Sequence, residues 1–281
     1  MHLKLQSWRN IAILFLTFSF TDSCNNQPDS SGNDQTQQSA YLVPTIGYTV
    51  SAIFPHDNNA YTEGLLFHDG KLFESTGYNK EYPLTQSLFG SVDLKTGKIQ
   101  AKVELDRNVY WGEGITFLKD KWYQLTYTTK IGFIYDGKTF RKLGEFSLPA
   151  QEGWGMTTDG EHLIMSDGSE KLYWINPENF QTVKKLVVTD NKGIVLYLNE
   201  LEYLKGSIYA NVYGTNTIVR IDPQKGKVTG RLDLSSLTLD AKSKFSGAQE
   251  MNGIAYDSTN DRVLLTGKLW PSIYEIKITT P

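Results

Sequence analysis

Five polar side chains in this sequence belong to types that can transfer protons together, and they stand in similar short motifs. They comprise two carboxylates, two amides and one lysine: Glu63, Glu113, Asn199, Asn252 and Lys268. Glutamates paired with a lysine favour proton transfer over simple binding, because a carboxylate moves protons and an ammonium stabilises developing negative charge. They can act together only if the fold brings them to one place.

The segments that carry these residues are copies of one repeating unit. Each copy has an opening strand, a turn, a second apolar strand and a third strand that ends in another turn. Successive copies are separated by 41 to 53 residues, and they open at Glu63, Glu113, Trp154, Asn199 and Asn252. A fourth strand follows in the first four copies. A period of about 40–50 residues with four strands is typical of β-propeller blades.

The last copy lacks its fourth strand, whereas residues 47–54 form an additional strand before the first copy. Pairing the two would close the ring and remove an exposed sheet edge. The sequence therefore predicts an all-β, five-bladed β-propeller over residues 41–281, with the last blade closed by the N-terminal strand. An open pair of β-sandwich sheets is the alternative, and no amphipathic helical periodicity is apparent in this region.

Residues at equivalent positions of the blades should converge on one rim, because inner strands run along the propeller axis. One ring consists of the five opening residues, and Tyr61 and Trp111 stand beside its two glutamates. A second ring consists of the residues at the ends of the second strands: Gly77, Tyr127, Gly168, Tyr213 and Lys268. Such a polar and aromatic mouth is a predicted active site. Alternatively, the polar residues only line a wet channel, and Tyr127 and Tyr213 only pack between blades.

The N-terminal region has the composition of a targeting segment. An apolar stretch at residues 11–20 is too short to span a bilayer, and Cys24 follows it as the only cysteine. We expect residues 1–24 to be a signal peptide with a lipid on Cys24, as in bacterial lipoproteins; otherwise Cys24 is an ordinary residue of a cleaved peptide. Residues 25–40 are polar and predict a flexible tether. The expected location is the bacterial cell envelope, either lipid-anchored or periplasmic.

Composition argues against several other classes. The net charge is −3 and no basic stripe is present, so no nucleic-acid partner is expected. The four histidines lack metal-ligand spacing, and His56 and His68 are expected in turns or at the surface. No Gly-x-Ser-x-Gly motif is present, and a single cysteine allows no internal disulfide. We expect a monomer without metal or cofactor, with membrane contact only through the lipid.

A series of short motifs stands in order along residues 50–280. The motifs are Phe54-Pro55-His56-Asp57, Tyr61-Thr62-Glu63-Gly64, Trp111-Gly112-Glu113-Gly114, Gln124-Leu125-Thr126-Tyr127, Glu152-Gly153-Trp154-Gly155, Leu198-Asn199-Glu200-Leu201-Glu202, Ala210-Asn211-Val212-Tyr213, Asn252-Gly253-Ile254-Ala255 and Thr266-Gly267-Lys268-Leu269-Trp270-Pro271. The ordered set resembles the plant and bacterial type of glutaminyl cyclotransferase. That family consists of five-bladed propellers, in agreement with the repeat count.

The resemblance implies cyclisation of the N-terminal glutamine of peptides or proteins to pyroglutamate, with release of ammonia; the lack of metal-ligand spacing among the histidines predicts that no metal takes part. It implies that Glu113 is the main catalytic carboxylate, that Lys268 and Asn199 are its polar partners, and that Trp154 belongs to the pocket wall. We expect Glu113 to shuttle a proton and Lys268 with Asn199 to stabilise the oxyanion. Glu63 would anchor the substrate ammonium.

The remaining aromatic residues are expected to clamp the substrate amide and exclude water: Tyr61, Trp111, Tyr127 and Tyr213. The family often carries Trp at the last two positions and also accepts Gln in place of Glu63. We therefore expect altered affinity rather than lost activity, and a substrate-positioning role for Glu63. Asn252 is expected to bind substrate or to be only a channel hydrogen-bonder.

Two other functions remain open from the residues. One is a non-catalytic propeller that binds peptides through its aromatic mouth. The other is a metal-dependent propeller lactonase, because a convergent set of carboxylates and amides could form a metal cage. Its members would be Glu63, Glu113, Asn199 and Asn252.

Overall fold

A computed structural model describes residues 42–279 of the chain. The predicted signal peptide, Cys24 and the predicted tether lie outside these residues. The described strands form five antiparallel sheets of four strands each. None of the described helical structure is both long enough and apolar enough to cross a membrane.

The strands follow the chain blade by blade. The first strand is β1 (Gly47–Pro55). Blade 1 comprises β2 (Thr62–His68), β3 (Lys71–Thr76), β4 (Leu88–Val92) and β5 (Ile99–Glu104). Blade 2 comprises β6 (Gly112–Leu118), β7 (Lys121–Thr126), β8 (Ile131–Asp136) and β9 (Lys142–Ser147). Blade 3 comprises β10 (Met156–Thr158), β11 (Leu163–Ser166), β12 (Lys171–Ile175) and β13 (Thr182–Val187). Blade 4 comprises β14 (Leu198–Leu204), β15 (Ser207–Val212), β16 (Thr217–Ile221) and β17 (Val228–Asp233), and it is followed by α1 (Ser235–Lys244). Blade 5 comprises β18 (Met251–Asp257), β19 (Arg262–Gly267) and β20 (Ser272–Thr279).

The ring is closed by the N-terminal strand, as predicted. In blade 5 the strand order is β1-β20-β19-β18, so β1 is the outer strand of the last blade. It pairs antiparallel with β20 from Gly47 opposite Thr279 to Pro55 opposite Ser272. This pairing satisfies the backbone groups of β20 that would otherwise form an open edge. The five-bladed propeller is therefore confirmed, and the sandwich alternative is wrong.

Tight turns set the register between the first and second strands of three blades. Both central residues of each turn have positive φ: Asp69 and Gly70, Lys119 and Asp120, Lys205 and Gly206. Two successive residues with positive φ define a type I′ turn, whose twist matches that of the paired strands. Because register decides which face each side chain occupies, these turns help to bring equivalent residues to the same rim.

A register shift interrupts the inner strand of four blades at the position of the predicted site residue. The shifts lie between Thr62 and Gly64, Gly112 and Ile115, Leu198 and Leu201, and Met251 and Ile254. In blade 3, β10 begins only at Met156, so Trp154 lies just before the strand. Bulges redirect side chains and often occur beside active sites. Here they lie at the pocket end of the inner strands.

The apolar core is divided among the contacts between neighbouring blades. Phe89 of blade 1, for example, packs in one buried cluster with Ile115 and Trp122 of blade 2. Each of the other four junctions has its own buried cluster. Because the apolar residues lie between the blades, the polar residues of the inner strands are left for the axis.

The helix α1 was not predicted from the sequence. The segment SSLTLDAKSK buries only Leu237, Thr238 and Ala241. Such a narrow apolar face in a Ser- and Lys-rich segment produces little helical periodicity. The helix is held by tertiary contacts, since its Asp240 accepts a hydrogen bond from Tyr274 of β20 at 2.6 Å.

Candidate active site at the mouth of the propeller

A cavity of about 180 Å³ opens at the bulged end of the inner strands. Nine predicted site residues line it: Tyr61, Glu63, Trp111, Glu113, Tyr127, Trp154, Asn199, Tyr213 and Lys268. The tenth, Asn252, does not line the cavity, but its Nδ2 donates to Glu63 Oε2 at 3.2 Å and to the carbonyl oxygen of Thr62 at 3.1 Å. The structure thus brings together the residues that the repeat placed on one rim.

Five aromatic side chains form the wall of the cavity. Going round from Tyr61 through Trp111, Tyr127 and Trp154 to Tyr213, neighbouring ring centroids are 5.6, 6.1, 6.5 and 5.7 Å apart. The nitrogen of Lys268 completes the circle, 4.6 Å from the Tyr61 ring and 5.5 Å from the Tyr213 ring. Tyr127 and Tyr213 therefore belong to the pocket wall rather than to the packing between blades.

Two glycines of the second ring make room for the indoles of this wall. A Cβ atom at Gly77 would overlap the ring of Trp111, and one at Gly168 would overlap the ring of Trp154. The absence of a side chain at each position lets a tryptophan from the mouth lie against the backbone. The role of these glycines is therefore to shape the pocket.

Glu63 is surrounded by protein donors. Lys268 Nζ lies 2.9 Å from Oε1 and 2.8 Å from Oε2 of its carboxylate, and Trp111 Nε1 donates to Oε1 at 3.1 Å. Burial raises the pKa of Glu63, while the charge and hydrogen bond of Lys268 oppose the rise. Burial alone would lower the pKa of Lys268, but the Glu63 carboxylate reverses this and leaves it above its usual value. Lys268 is therefore a fixed cation of the site, and Glu63 is its counter-ion.

Glu113 differs from Glu63 because no hydrogen-bond or ion-pair partner contacts its carboxyl among residues 42–279. Its side chain lines the cavity although the residue is only 5% exposed. Burial raises the pKa of Glu113 well above its usual value, and the neighbouring carboxylates of Glu63 and Glu152 add to the rise, while Lys268 opposes it. A buried carboxyl with a raised pKa and an open face is suited to exchange protons with a ligand in the cavity.

Asn199 supplies an amide to the same cavity. The residue is 3% exposed, and its Oδ1 has no hydrogen-bond partner within the described part of the chain. Its backbone is held in place because the Ser166 hydroxyl donates to the Asn199 carbonyl oxygen at 2.7 Å. The amide is thus positioned by the fold while its polar end remains available to a ligand.

Two acidic residues at the pocket were not singled out in the sequence. Glu152 Oε2 accepts a hydrogen bond from Trp154 Nε1 at 2.9 Å, which orients that indole. The Glu250 carbonyl oxygen accepts from the backbone nitrogen of Lys268 at 2.9 Å. Neither residue belongs to a repeat ring, so only their adjacency to motif residues in the chain could have indicated them.

The prediction that His56 is a surface or turn residue is wrong. Its side chain is fully buried, and its Nε2 lies 2.9 Å from Glu74 Oε2. The closure of the ring carries the end of β1 into the interior, which local sequence does not reveal. His68, by contrast, is partly exposed and stacks on Phe117, with ring centroids 3.7 Å apart.

The fold and the site together define a five-bladed propeller with an acid–base pocket at one axial mouth. The sequence profile of the glutamine cyclotransferase family matches residues 26–278. The protein belongs to this family.

Two relatives show the extent of the similarity. The chain is 42% identical over 232 residues to a glutaminyl-peptide cyclotransferase from Arabidopsis thaliana, which covers 82% of this chain and 70% of that protein. The structure of the present chain matches the crystal structure of Myxococcus xanthus glutaminyl cyclase with a TM-score of 0.76 at 30% identity. The match covers 84% of this chain and all of the Myxococcus chain.

Proposed function

We propose that this protein is a glutaminyl-peptide cyclotransferase, which converts the N-terminal glutamine of peptides and proteins to pyroglutamate with release of ammonia. The observation that carries the proposal is the buried carboxyl of Glu113, which has no bonding partner among residues 42–279 and faces the same small cavity as Lys268 and Asn199. The family membership and the two named relatives support the same reaction.

The size of the cavity suits one terminal residue. Its volume of about 180 Å³ is the space of roughly six liquid water molecules and is smaller than typical drug-sized pockets. A glutamine at a chain end enters with one peptide bond trailing to the mouth. An internal glutamine has no free α-amine and therefore lacks the nucleophile of the reaction.

The proposed reaction begins with attack of the substrate α-amine on its own γ-carboxamide carbon. An α-amine has a pKa of about 7.7–8.0, so a useful fraction is neutral at pH 7. The new carbon–nitrogen bond closes the lactam, and the bond to the carboxamide nitrogen breaks. Because the reaction is intramolecular, holding the side chain in its cyclising conformer removes much of the barrier.

Glu113 is the proposed proton carrier. It takes a proton from the attacking nitrogen and delivers it to the carboxamide nitrogen, which leaves as ammonia. The raised pKa of Glu113 means that its carboxylate is a stronger base than an ordinary glutamate, which favours uptake of the first proton. Because no group within the described ranges of the chain bonds to its carboxyl, its oxygens remain available for the two substrate nitrogens. A shuttle of this kind typically contributes about 10²–10⁴-fold in rate.

Lys268 and Asn199 are the proposed stabilisers of the oxyanion on the tetrahedral intermediate, an effect worth about 10²–10³-fold for one donor. Because Glu63 already accepts bonds from Lys268, Trp111 and Asn252, we assign it to holding the lysine. This replaces the sequence-based assignment of Glu63 to the substrate ammonium.

We also propose that the reaction needs no metal. The carboxylate of Glu63, a member of the supposed cage, is neutralised by Lys268, and Asn252 turns its amide nitrogen rather than its oxygen toward it. Among residues 42–279, no three His, Cys, Asp or Glu side chains are grouped so as to hold a metal ion. Within the described part of the chain, Glu63 and its neighbours hold the ammonium of Lys268 and do not form the metal cage that a lactonase needs.

The central test is incubation of the purified protein with a peptide that begins with glutamine. We expect ammonia release and a peptide mass lowered by one ammonia, with equal rates in the presence of a chelator. An N-acetylated copy of the peptide, which lacks the nucleophile, is the matched control and should not react. No ammonia would refute the activity, glutamate as product would indicate a hydrolase, and loss of activity with chelator would refute metal independence.

We further propose export to the bacterial cell envelope as a monomer, with a lipid on Cys24 as the membrane contact. The apolar stretch before the single cysteine supports this. Fatty-acid labelling of the wild type, absent in Cys24→Ala, would support the anchor. Equal labelling of the two proteins would refute it, and a dimer mass in sedimentation would refute the monomer.

A further inference from the structure

Behind the pocket lies an ion pair that the proposed chemistry does not use. His56 Nε2 is 3.1 and 2.9 Å from the two oxygens of Glu74, and both side chains are completely buried. His56 Nδ1 is 2.7 Å from the carbonyl oxygen of Trp270. Because both ring nitrogens face acceptors, both act as donors and the imidazole is positively charged. Burial lowers the pKa of His56, but Glu74 more than compensates, so the net shift is upward.

This ion pair is connected to the active site through Thr62. The Thr62 hydroxyl donates to Glu74 Oε1 at 2.7 Å and lies 3.3 Å from the carbonyl oxygen of Gly267. Thr62 immediately precedes Glu63 in the chain, and Gly267 immediately precedes Lys268. The network therefore contacts the backbone next to both members of the Glu63–Lys268 ion pair.

Comparison of the blades shows that the propeller does not require a charge at the Glu74 position. Glu74 is paired with Leu65, and the equivalent pairs in the other blades place other residue types there. Those residues are Gln124, Met165, Ala210 and Leu265. A buried ion pair adds little net stability over an apolar substitute, because desolvation offsets the attraction. Stability alone therefore does not account for the pair.

The location of the pair suggests what it does. Glu63 belongs to blade 1 and Lys268 to blade 5, so their ion pair crosses the junction at which the ring closes. His56 directly follows β1, the strand that closes the ring, and it contacts the carbonyl oxygen of Trp270, two residues beyond Lys268. Glu74 belongs to β3 of blade 1. The buried pair thus joins the same two blades beside the same junction.

We propose that His56, Glu74 and Thr62 form a positioning network that holds Lys268 and Glu63 in the geometry needed to stabilise the reaction's oxyanion. The inference rests on the proposed function and extends it to residues that do not touch substrate. If Lys268 acts mainly on the transition state, a small displacement lowers kcat and leaves KM nearly unchanged.

Two substitutions of Thr62 test the proposal as a matched pair. Thr62→Val keeps the shape and removes the hydroxyl, whereas Thr62→Ser keeps the hydroxyl and removes a methyl group. We expect Thr62→Val to lower kcat by about 10- to 100-fold, the effect of a small misplacement, with KM within about twofold. Thr62→Ser should retain most of the wild-type kcat.

Glu74→Gln provides a second test that does not depend on the folding of Thr62→Val. It keeps the size of the side chain but leaves the His56 charge without its counter-ion, and we expect a lower kcat. The matched control is Asp257→Asn in blade 5. Asp257 is also buried and lies 2.9 Å from Arg262, but at the end of β18 away from the pocket. Its substitution should lower the thermal midpoint while kcat stays at the wild-type value.

The outcomes separate the two proposals. A wild-type protein that releases no ammonia refutes the proposed function. If the wild type is active, the positioning network is refuted when folded Thr62→Val has the same kcat as Thr62→Ser. The network is also refuted if Glu74→Gln keeps the wild-type kcat. The same holds if Glu74→Gln and Asp257→Asn have equal thermal midpoints and Glu74→Gln loses no more kcat than Asp257→Asn does.

Discussion

Glu113 of blade 2 and Glu200 of blade 4 are both buried glutamates in the bulge of an inner strand. Burial raises the pKa of each well above its usual value. Glu113 occupies the first position of its bulge and faces the cavity. Glu200 occupies the second position, next to Asn199, and is completely buried. Its Oε2 accepts the backbone N–H of Ile254 at 2.8 Å.

The difference of one position decides the role of each carboxyl. Successive residues of a strand point to opposite sides, so Asn199 faces the pocket and Glu200 does not. At the position of Glu200 the other blades carry Gly64, Gly114, Gly155 and Gly253. Glu200 therefore fills space near the axis and bridges blade 4 to blade 5. Both carboxyls thus have a raised pKa because they are buried, but only Glu113 also has access to the cavity.

The largest expected effect comes from neutralising the two glutamates in turn. Glu113→Gln should lower kcat by about 10²–10⁴-fold, because the side chain keeps its shape but cannot carry a proton. Glu200→Gln should keep a kcat close to that of the wild type, since Glu200 does not line the cavity. Initial rates of ammonia release, with circular dichroism to verify folding, measure both. The comparison fails if the Glu200 variant loses more activity than the Glu113 variant.

The next effect concerns the cation beside Glu113. Lys268→Met removes the oxyanion partner, and we expect a loss of about 10²–10³-fold in kcat. It also leaves Glu63 buried without a counter-ion, which should cost about 3–5 kcal/mol of unfolding free energy.

Adding Glu63→Gln to Lys268→Met should restore much of the stability and none of the activity. Denaturant unfolding and ammonia release measure the two properties separately. Recovered activity in the double variant would show that Lys268 does not act on the intermediate.

A smaller effect is expected on the pH dependence of kcat. Glu113 must be deprotonated to accept the first proton, so kcat should rise as pH rises through its raised pKa. Glu152 contributes to that rise in pKa, and Glu152→Gln should therefore lower the Glu113 pKa and move the acid limb to lower pH. Rates measured from pH 4 to 9 for the wild type and the variant test this. Both proteins are assayed with the same peptide, so titration of the substrate amine affects both profiles equally. An unmoved limb would mean that Glu113 does not control it.

The smallest effect concerns stability near Glu200. Burial raises the pKa of Glu202 to about 8, compared with about 4.3 in an unfolded chain. Its contribution to stability is complete below the lower value and is lost as pH rises through the higher one. Glu202→Gln should therefore raise the thermal midpoint above that of the wild type by more at pH 9 than at pH 5, by about 2–4 °C for each kcal/mol in a chain of this size. An equal effect at both pH values would show that Glu202 does not titrate in this range.

Much of the fold and most of the pocket could be predicted because both depend on the repeat. The period, the turn residues and the strand pattern are local properties, and together they place Glu63, Glu113, Trp154 and Asn199 on one rim. The sequence could not indicate α1, whose few buried residues produce no clear periodicity.

The amino-acid sequence by itself determined five blades, their closure by the N-terminal strand and the set of side chains at one mouth. Only the tertiary structure decided which of those side chains are paired, so that Glu63 binds Lys268 while Glu113 has no partner within the part of the chain that the structure describes. It also brought His56 to the carbonyl of Trp270, 214 residues away in the chain. The physical reason is that hydrogen-bond partners and burial depend on the closed ring, in which residues distant in sequence share one low-dielectric interior.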